Sequence, residues 1–413
     1  MKISMMKSDQ LQQAVELSDR IFLKQPEQPS MGVSFPPIFS PGISHSYGAW
    51  DQDKLVSFMG FVPFTIQTRG ARLNIFSIGS VCTDPDYRGQ RLAGNLLEQC
   101  IRHGESSGAS LILISGGRSL YTRAGSRLFG RALRFRLSPA VVEPLRAATG
   151  KKVNIRAMQP HDLFQIQRLM EQREAGYVTT ASELNKLLDA SAYSNVIRLK
   201  QQVLVAEEDG ALTAFAIIAV PGDTMTPSRE STLVEWGGSP EAAALVIADA
   251  IASFSLTELT VPLPWQDKEL AALIQSAGIL PEYIRNEGTI YLVSGPQLLR
   301  QLAPLLPEGL IQADGEHGPY RLNLNHETLE LDDEGLLSIL FDPESPYRAN
   351  GSVTLILSLS LTQPDFNIYN ERTKVHLILP QGRSYALFLS LEIDEPGTHS
   401  SQAEPASILH PEE

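Results

Sequence analysis

Apolar residues at Leu11, Ala14, Val15, Leu17 and Ile21 recur at three- and four-residue intervals, which predicts one amphipathic helix over residues 10–22. The period then shortens. Residues 46–50, 54–63, 65–69 and 73–83 read as strands, broken at Asp51-Gln52-Asp53 and at Gly70. Leu92, Leu96, Cys100 and Ile101 fall on one face of a helix over residues 92–103, and Gly104 and Gly108 stand near its end as stop signals. The run Leu111-Ile112-Leu113-Ile114, bounded by Gly116 and Gly117, has the all-apolar character of a strand buried on both faces. Between the first helix and the strands lies a segment, residues 24–44, with prolines at 26, 29, 36, 37 and 41. Such a segment cannot be helical throughout, and its length suits a lid or rim.

A similar order returns further on. Residues 153–158 read as a strand, 162–172 and 181–189 as helices, and 202–206 and 212–220 as strands about Asp209-Gly210. A strand over 231–236 leads through Gly237-Gly238-Ser239-Pro240 into a helix over 241–254 and a strand over 256–263. The pattern predicts an internal duplication. Residues 290–392 change again: a helix over 298–306, then strands over 320–324, 327–331, 352–361, 374–379 and 386–393. The tail, 396–413, is polar, contains proline and reads as flexible.

The candidate chemistry lies where the strand over 73–83 meets the helix over 92–103. The first N–H groups of a helix have no partner within it, and the helix dipole adds partial positive charge there. A phosphate docks on such an end. Gly89 and Gly94 let a ligand approach the backbone, and Arg88 and Arg91 offer charge-assisted contacts to phosphate oxygens.

Val81, Pro85 and the run Arg88-Gly89-Gln90-Arg91-Leu92-Ala93 resemble the motif of the GNAT N-acetyltransferases, with Arg91 in place of the inner glycine. The resemblance implies an α/β fold with a mixed central sheet, and acetyl-CoA as co-substrate without a metal. It implies that the backbone of Val81, Cys82 and Thr83 pairs with the pantetheine arm. The N–H groups of Gly89, Gln90, Arg91, Leu92, Ala93 and Gly94 would then hold the pyrophosphate, with Arg88 beside them. Tyr121 and Gly125 match the family's Tyr-x-x-x-Gly, although Ser126 stands where an aromatic residue is usual. In that family the tyrosine protonates the departing CoA thiolate, and a phenol with an ordinary pKa near 10 suits that task. The acceptor would be a primary amine, either on a small molecule or on a lysine or chain N-terminus.

Two acetyltransferase-like units and a smaller α+β unit resemble the layout of the enhanced-intracellular-survival (Eis) family. The expected division is 1–140 for the catalytic unit, 150–285 for a degenerate copy and 289–395 for a sterol-carrier-like domain. The second copy has no arginine at its turn, and Glu235 and Glu241 flank it with charge that repels pyrophosphate. In the Eis family the terminal carboxylate acts as base; this chain ends in Glu413, in a polar tail unlike the apolar ending usual there.

Composition narrows the classes. A chain of 413 residues suits two or three domains. Its net charge of −13 argues against a nucleic-acid surface and suits a cleft that attracts cationic amines. No apolar run approaches a membrane span, and the first residues lack the apolar stretch of a signal peptide. Cys82 and Cys100 read as reduced, buried thiols in a cytoplasmic protein, and the eight histidines are scattered rather than clustered for zinc. A homo-oligomer is compatible with all of this. The rival classes are a non-catalytic acyl-CoA sensor or assembly protein, which would keep the binding turn without turnover, and a structural protein that binds no CoA.

Overall fold

The computed structural model describes residues 1–345 except 69, 174, 265–266, 286–287, 324–327 and 343–344. The first half runs β1 (Lys2–Met5), α1 (Leu11–Phe22), the short α2 (Met31–Ser34) and α3 (Pro36–Phe39), β2 (Tyr47–Asp51), β3 (Lys54–Thr68), β4 (Ala71–Thr83), α4 (Leu92–Ser106), β5 (Leu111–Ile114), α5 (Ser119–Arg123) and β6 (Arg127–Leu128). It continues through β7 (Arg131–Leu137) and α6 (Val142–Thr149). The second half runs β8 (Asn154–Ala157), α7 (Leu163–Glu171), β9 (Ala175–Tyr177), α8 (Ala181–Ala190), α9 (Ala192–Val196), β10 (Lys200–Glu208), β11 (Ala211–Val220), β12 (Thr232–Gly238), α10 (Pro240–Ser253), β13 (Leu259–Pro264), α11 (Lys268–Ser276) and β14 (Glu282–Arg285). Last come β15 (Thr289–Leu292), α12 (Gly295–Leu302), β16 (Ile311–Ala313), β17 (Tyr320–Asn323), β18 (Thr328–Leu331) and α13 (Asp333–Phe341).

Both halves form mixed sheets, and they exchange a strand. The first sheet is ordered β1-β2-β3-β4-β5-β15-β6, with β9 also on β3; the second is β14-β7-β13-β12-β11-β10-β8. Thus β7 leaves the first half and pairs between β13 and β14, while β15 returns from beyond the second half to pair between β5 and β6. The sequence boundaries near 140 and 289 therefore do not coincide with the edges of the sheets.

Alternation along the strands divides the first sheet's faces. Met59, Phe61, Phe76, Ile78, Ile112 and Ile114 pack against Leu92, Leu96 and Cys100 of α4. On the opposite face Phe58, Val62 and Cys82 meet Leu11, Ala14 and Leu17 of α1. Further along that face Ile75, Leu111 and Leu113 meet Leu298 and Leu302 of α12 and Leu336 of α13. Full burial of one such leucine contributes about 2 kcal/mol, so α4 is firmly seated through Leu96 and Leu97, 0% and 3% exposed.

One expectation changes. The strands expected at 54–63 and 65–69 are one strand, β3, that runs through Pro63 and Phe64. Pro63 is tolerated because His45 N–H donates to Phe61 C=O from the outer side, so alternation puts the missing Pro63 N–H on the outer edge rather than in the ladder with β4. The proline-rich segment, in turn, holds two single-turn helices, α2 and α3. The expected helix at 298–306 is α12, and the pairs expected at 320–324 and 327–331 are β17 and β18, which form a three-stranded sheet with β16. The strands expected at 352–361, 374–379 and 386–393, and with them the full sterol-carrier-like domain, lie outside the described residues, as do the tail and Glu413. Among the described residues no helix is long and apolar enough to cross a membrane, and no cluster of three or more His, Cys, Asp or Glu side chains could hold a metal ion.

Candidate functional site

β4 and β5 run parallel and pair only from Ile75 opposite Leu111 to Ile78 opposite Ile114. β5 then stops, while β4 continues to Thr83, so a wedge opens between the strands. The Ser115 N–H donates to Ile78 C=O at 3.2 Å and closes its apex. Beyond the apex β4 bulges: Gly79 lies opposite Gly60 and Cys82 opposite Phe58, leaving Ser80 and Val81 against Met59. Ser80 takes a left-handed φ of 52°. The strands approach so closely here that a Cβ on Gly60 would lie 2.5 Å from the Gly79 carbonyl oxygen. The Cys82 carbonyl faces β3 and accepts from Ser57 Oγ at 3.1 Å, and the Asp84 N–H donates to Val56 C=O at 2.8 Å. By alternation the main-chain groups of Val81 and Thr83 therefore face the wedge.

The turn that follows is anchored by Asp84. Its carboxylate accepts from Arg20 of α1 at 2.9 Å and from the Asp86 N–H at 3.2 Å, and Lys54 of β3 lies 3.1 Å away. Burial works against this charge, but Lys54, the Asp86 N–H and Arg20 together hold the carboxyl below its ordinary range. Gly89 has φ 78° and open space around it. Arg91, at the family's glycine position, is also left-handed, with φ 56°. It caps α4 without a side-chain hydrogen bond, and the first turn of α4 carries no acidic residue. Arg88, Gln90 and Arg91 are exposed, Leu92 is buried in the core, and Ala93 and Gly94 are half-buried. The structure thus brings a wedge with free strand edge, two exposed guanidinium groups and an uncapped helix start to one end of β4.

Tyr121, on α5, is buried at 4% exposure on the α4 face with Ile114 and Leu96. Burial pushes its phenol up to about 12, Arg118 pulls it down and Cys100 adds to the rise. The aromatic residue absent after Gly125 has a spatial counterpart that the local sequence does not show: a Cβ on Gly125 would lie 3.5 Å from the ring of Tyr291 on β15. Cys82 faces α1, with its sulfur 3.7 Å from Ser18 Oγ, and burial raises it to about 12 despite that contact and Arg20. Cys100 is raised well above its ordinary value by burial alone. Neither thiol is ionised near neutrality, which removes both as nucleophiles.

The corresponding place in the second half is filled by the protein itself. β12 and β13 pair only at Thr232 opposite Thr260. Across their opening Arg173, 17% exposed, binds the Glu235 carboxylate, donates to the Trp236 carbonyl at 2.7 Å and lies 3.3 Å from the Asp267 carboxylate. Its guanidinium also sits 5.4 Å from the Trp236 ring centroid, and the Trp236 indole donates to Asp267 at 2.9 Å. At the start of α10, Ser239 Oγ accepts from the Ala242 N–H at 3.4 Å and donates to the Glu241 carboxylate at 2.5 Å. The Ser239 bond and the main-chain N–H of Glu241 hold that carboxyl below its ordinary range, against burial and with help from Lys151.

A family model and solved structures identify the mixed sheet that carries this wedge and glycine turn as a GNAT-like fold. Residues 2–128 match the family model described as an acetyltransferase (GNAT) domain. Among solved structures, the GCN5-related N-acetyltransferase of Anabaena variabilis superposes with a TM-score of 0.61 at 13% identity, covering 85% of this chain and 93% of that one. That of Kribbella flavida gives 0.59 at 15% identity, covering 85% and 91%. Eis1 of Mycobacterium abscessus gives 0.54 at 12% identity, covering 80% and 85%. At these identities the likeness is one of fold. No match was found among curated proteins.

Proposed function

We propose that this chain is an acetyl-CoA-dependent N-acetyltransferase whose active site lies in the first half, and that the second half is a degenerate copy that no longer binds CoA. The carrying observation is the contrast between two equivalent helix starts. That of α4 has no side-chain cap and no acidic residue, while that of α10 is occupied by Ser239 and Glu241. An incoming pyrophosphate finds open N–H groups beside Arg88 and Arg91 at α4, and a carboxylate already seated at α10.

In this reading Val81 and Thr83 pair with the pantetheine arm as an added strand. The N–H groups of residues 89–94 hold the pyrophosphate. The acceptor amine, once deprotonated, attacks the thioester carbon, and an N–H beside Val81 stabilises the oxyanion. As the tetrahedral intermediate collapses, the C–S bond breaks and the departing thiolate takes the Tyr121 proton, while the proton released from the attacking nitrogen passes to solvent and the phenol is restored from solvent, leaving an amide and free CoA. The pKa values are compatible with that transfer. Burial that raises the phenol to about 12 also raises a thiol, as it raises Cys82 to about 12 in the same half. A thiolate desolvated beside Tyr121 is therefore a stronger base than one in water. Glu235 and Asp267, which the second half turns on Arg173, would repel pyrophosphate at the corresponding wedge.

Calorimetric titration with acetyl-CoA tests the assignment. One site per chain is expected, lost in Arg88→Glu and retained in Arg173→Gln. A wild type that binds no acetyl-CoA refutes the cofactor assignment. Binding without acetylation across a panel of primary amines refutes the enzymatic one.

A further inference from the structure

The second wedge is occupied by a side chain, and its walls form a receptor for that side chain. Arg173 lies two residues past α7, and its N–H donates to Met170 C=O at 3.2 Å. α7 itself is seated on the second sheet through Ile166 and Leu169, which pack with Phe215 and Val234. β12 bulges there, as β4 does at the first wedge. Glu235 lies opposite Ile217 and Leu233 opposite Ile218, so Val234 is the extra residue. Trp236 then holds both carboxylates of the site. Its main-chain N–H donates to Glu235 at 3.2 Å and its indole N–H to Asp267 at 2.9 Å. Neither bond involves Arg173, so the acceptors are positioned independently of the group they receive.

The guanidinium divides its contacts between two nitrogens. Nη1 donates to the Glu235 carboxylate and to the Trp236 carbonyl, and Nη2 donates to the Asp267 carboxylate. The Trp236 ring centroid stands 5.4 Å from the guanidinium carbon. Burial opposes the charge, yet Glu235 and then Asp267 raise the Arg173 pKa above its ordinary value. An ammonium offers one nitrogen where two are used, and an anion would meet two carboxylates. Just beyond Arg173 the chain changes sheets. β9 lies on the outer edge of β3, with Ala175 opposite Thr68, Gly176 opposite Gln67 and Tyr177 opposite Ile66. It has three residues, so its ladder is short and its position depends on what fixes its ends.

We propose that the second wedge is a guanidinium-binding site, that Arg173 is its tethered ligand, and that this occupation clamps β9 onto the first sheet. The class of ligand the site takes is a planar guanidinium, with N–H donors for two carboxylates and a carbonyl and a flat face for the indole. The clamp is independent of acetyl-CoA. β9 pairs at Thr68–Ile66 of β3, toward the opposite end of that strand from Phe58, which faces Cys82 at the first wedge.

The test uses the full-length protein, read by thermal unfolding and by hydrogen exchange at residues 175–178. Arg173→Ala should unfold at a lower temperature than wild type. Millimolar methylguanidinium should raise its transition saturably, as a ligand of the folded state does. Methylammonium at equal concentration should not, and wild type should respond to neither. Exchange at residues 175–178 should rise by about tenfold or more in the variant and fall again with methylguanidinium, while β11 stays protected. Arg173→Lys, which keeps the charge and loses the planar fork, should also leave that exchange raised. Should Arg173→Ala not fold by itself, refolding in methylguanidinium but not in methylammonium is expected, and refolding in neither overturns the proposal. A folded variant that methylguanidinium leaves unchanged overturns it as well. So does equal rescue by methylammonium, or exchange at β9 that Arg173→Ala does not alter.

Discussion

Arg20 of α1 donates to the Asp84 carboxylate at 2.9 Å, a hydrogen bond that joins residues 64 positions apart and ties the first helix to the turn that enters α4. Asp84 is 5% exposed as a residue, while the side chains of Arg20 and Lys54 are more than half exposed. The anchor therefore depends more on the buried acceptor than on either cation.

Asp84→Asn should thus lower stability at pH 7 by about 1–2 kcal/mol, reduced by the solvent around both cations. Because the folded-state carboxyl lies below its unfolded value, its contribution is present above the unfolded pKa, about 3.9. It is lost as pH falls through the lower folded value. Urea unfolding between pH 2 and 7 checks this. The gap between wild type and variant should be constant near neutrality and should close in the acid range.

Arg91→Gly separates backbone from charge. A left-handed arginine costs about 1 kcal/mol that glycine escapes, partly offset by the greater freedom of glycine in the unfolded chain. Stability should therefore hold or rise by about 0.5 kcal/mol. Acetyl-CoA affinity should nevertheless fall several-fold if the guanidinium meets the pyrophosphate. Thermal unfolding and calorimetry on the same sample read both, and a variant with unchanged affinity would remove Arg91 from the binding site.

Tyr121→Phe should lower kcat by about 10²-fold, the usual contribution of a positioned acid. The KM for acetyl-CoA should stay nearly unchanged. With the phenol raised to about 12, the wild-type rate should show no alkaline loss attributable to Tyr121 below about pH 10. Steady-state rates from pH 6 to 10 check both points, and a Phe variant as fast as wild type would exclude the tyrosine from the chemistry.

A fragment of residues 1–140 should not fold cooperatively. It carries β7 without β13 and β14, and it lacks β15, which separates β5 from β6 in the first sheet. Circular dichroism on heating should show no sharp transition. A well-folded fragment would mean that β7 can take the place of β15.

Much of the candidate site was legible because it is contiguous. Residues 80–94 carry strand end, turn and helix start in order, and the apolar period of Leu92, Leu96 and Cys100 fixed which side of α4 faces the sheet. The strand exchange was not legible: alternation marks a strand and its buried face but carries no label for the sheet it joins. The left-handed conformation of Arg91 was hidden for a related reason, since arginine carries no local signal for positive φ. The occupied second wedge depends on Arg173 reaching Glu235 and Asp267, 62 and 94 positions away. The glutamates could be read from the sequence, but not the arginine that pairs with one of them. Tyr291 beside Gly125 belongs to the same group, an aromatic neighbour delivered by a distant strand.

The exchanged strand also sets a schedule for the growing chain. β15 ends at Leu292, more than 200 residues after β4 ends at Thr83. The sheet that carries the first wedge thus lacks an interior strand until residue 292 has been synthesised. Until then the facing edges of β5 and β6 have no partner, and β7 has none until β13 is made. The amino-terminal half, although made first, can mature only together with the half that follows it.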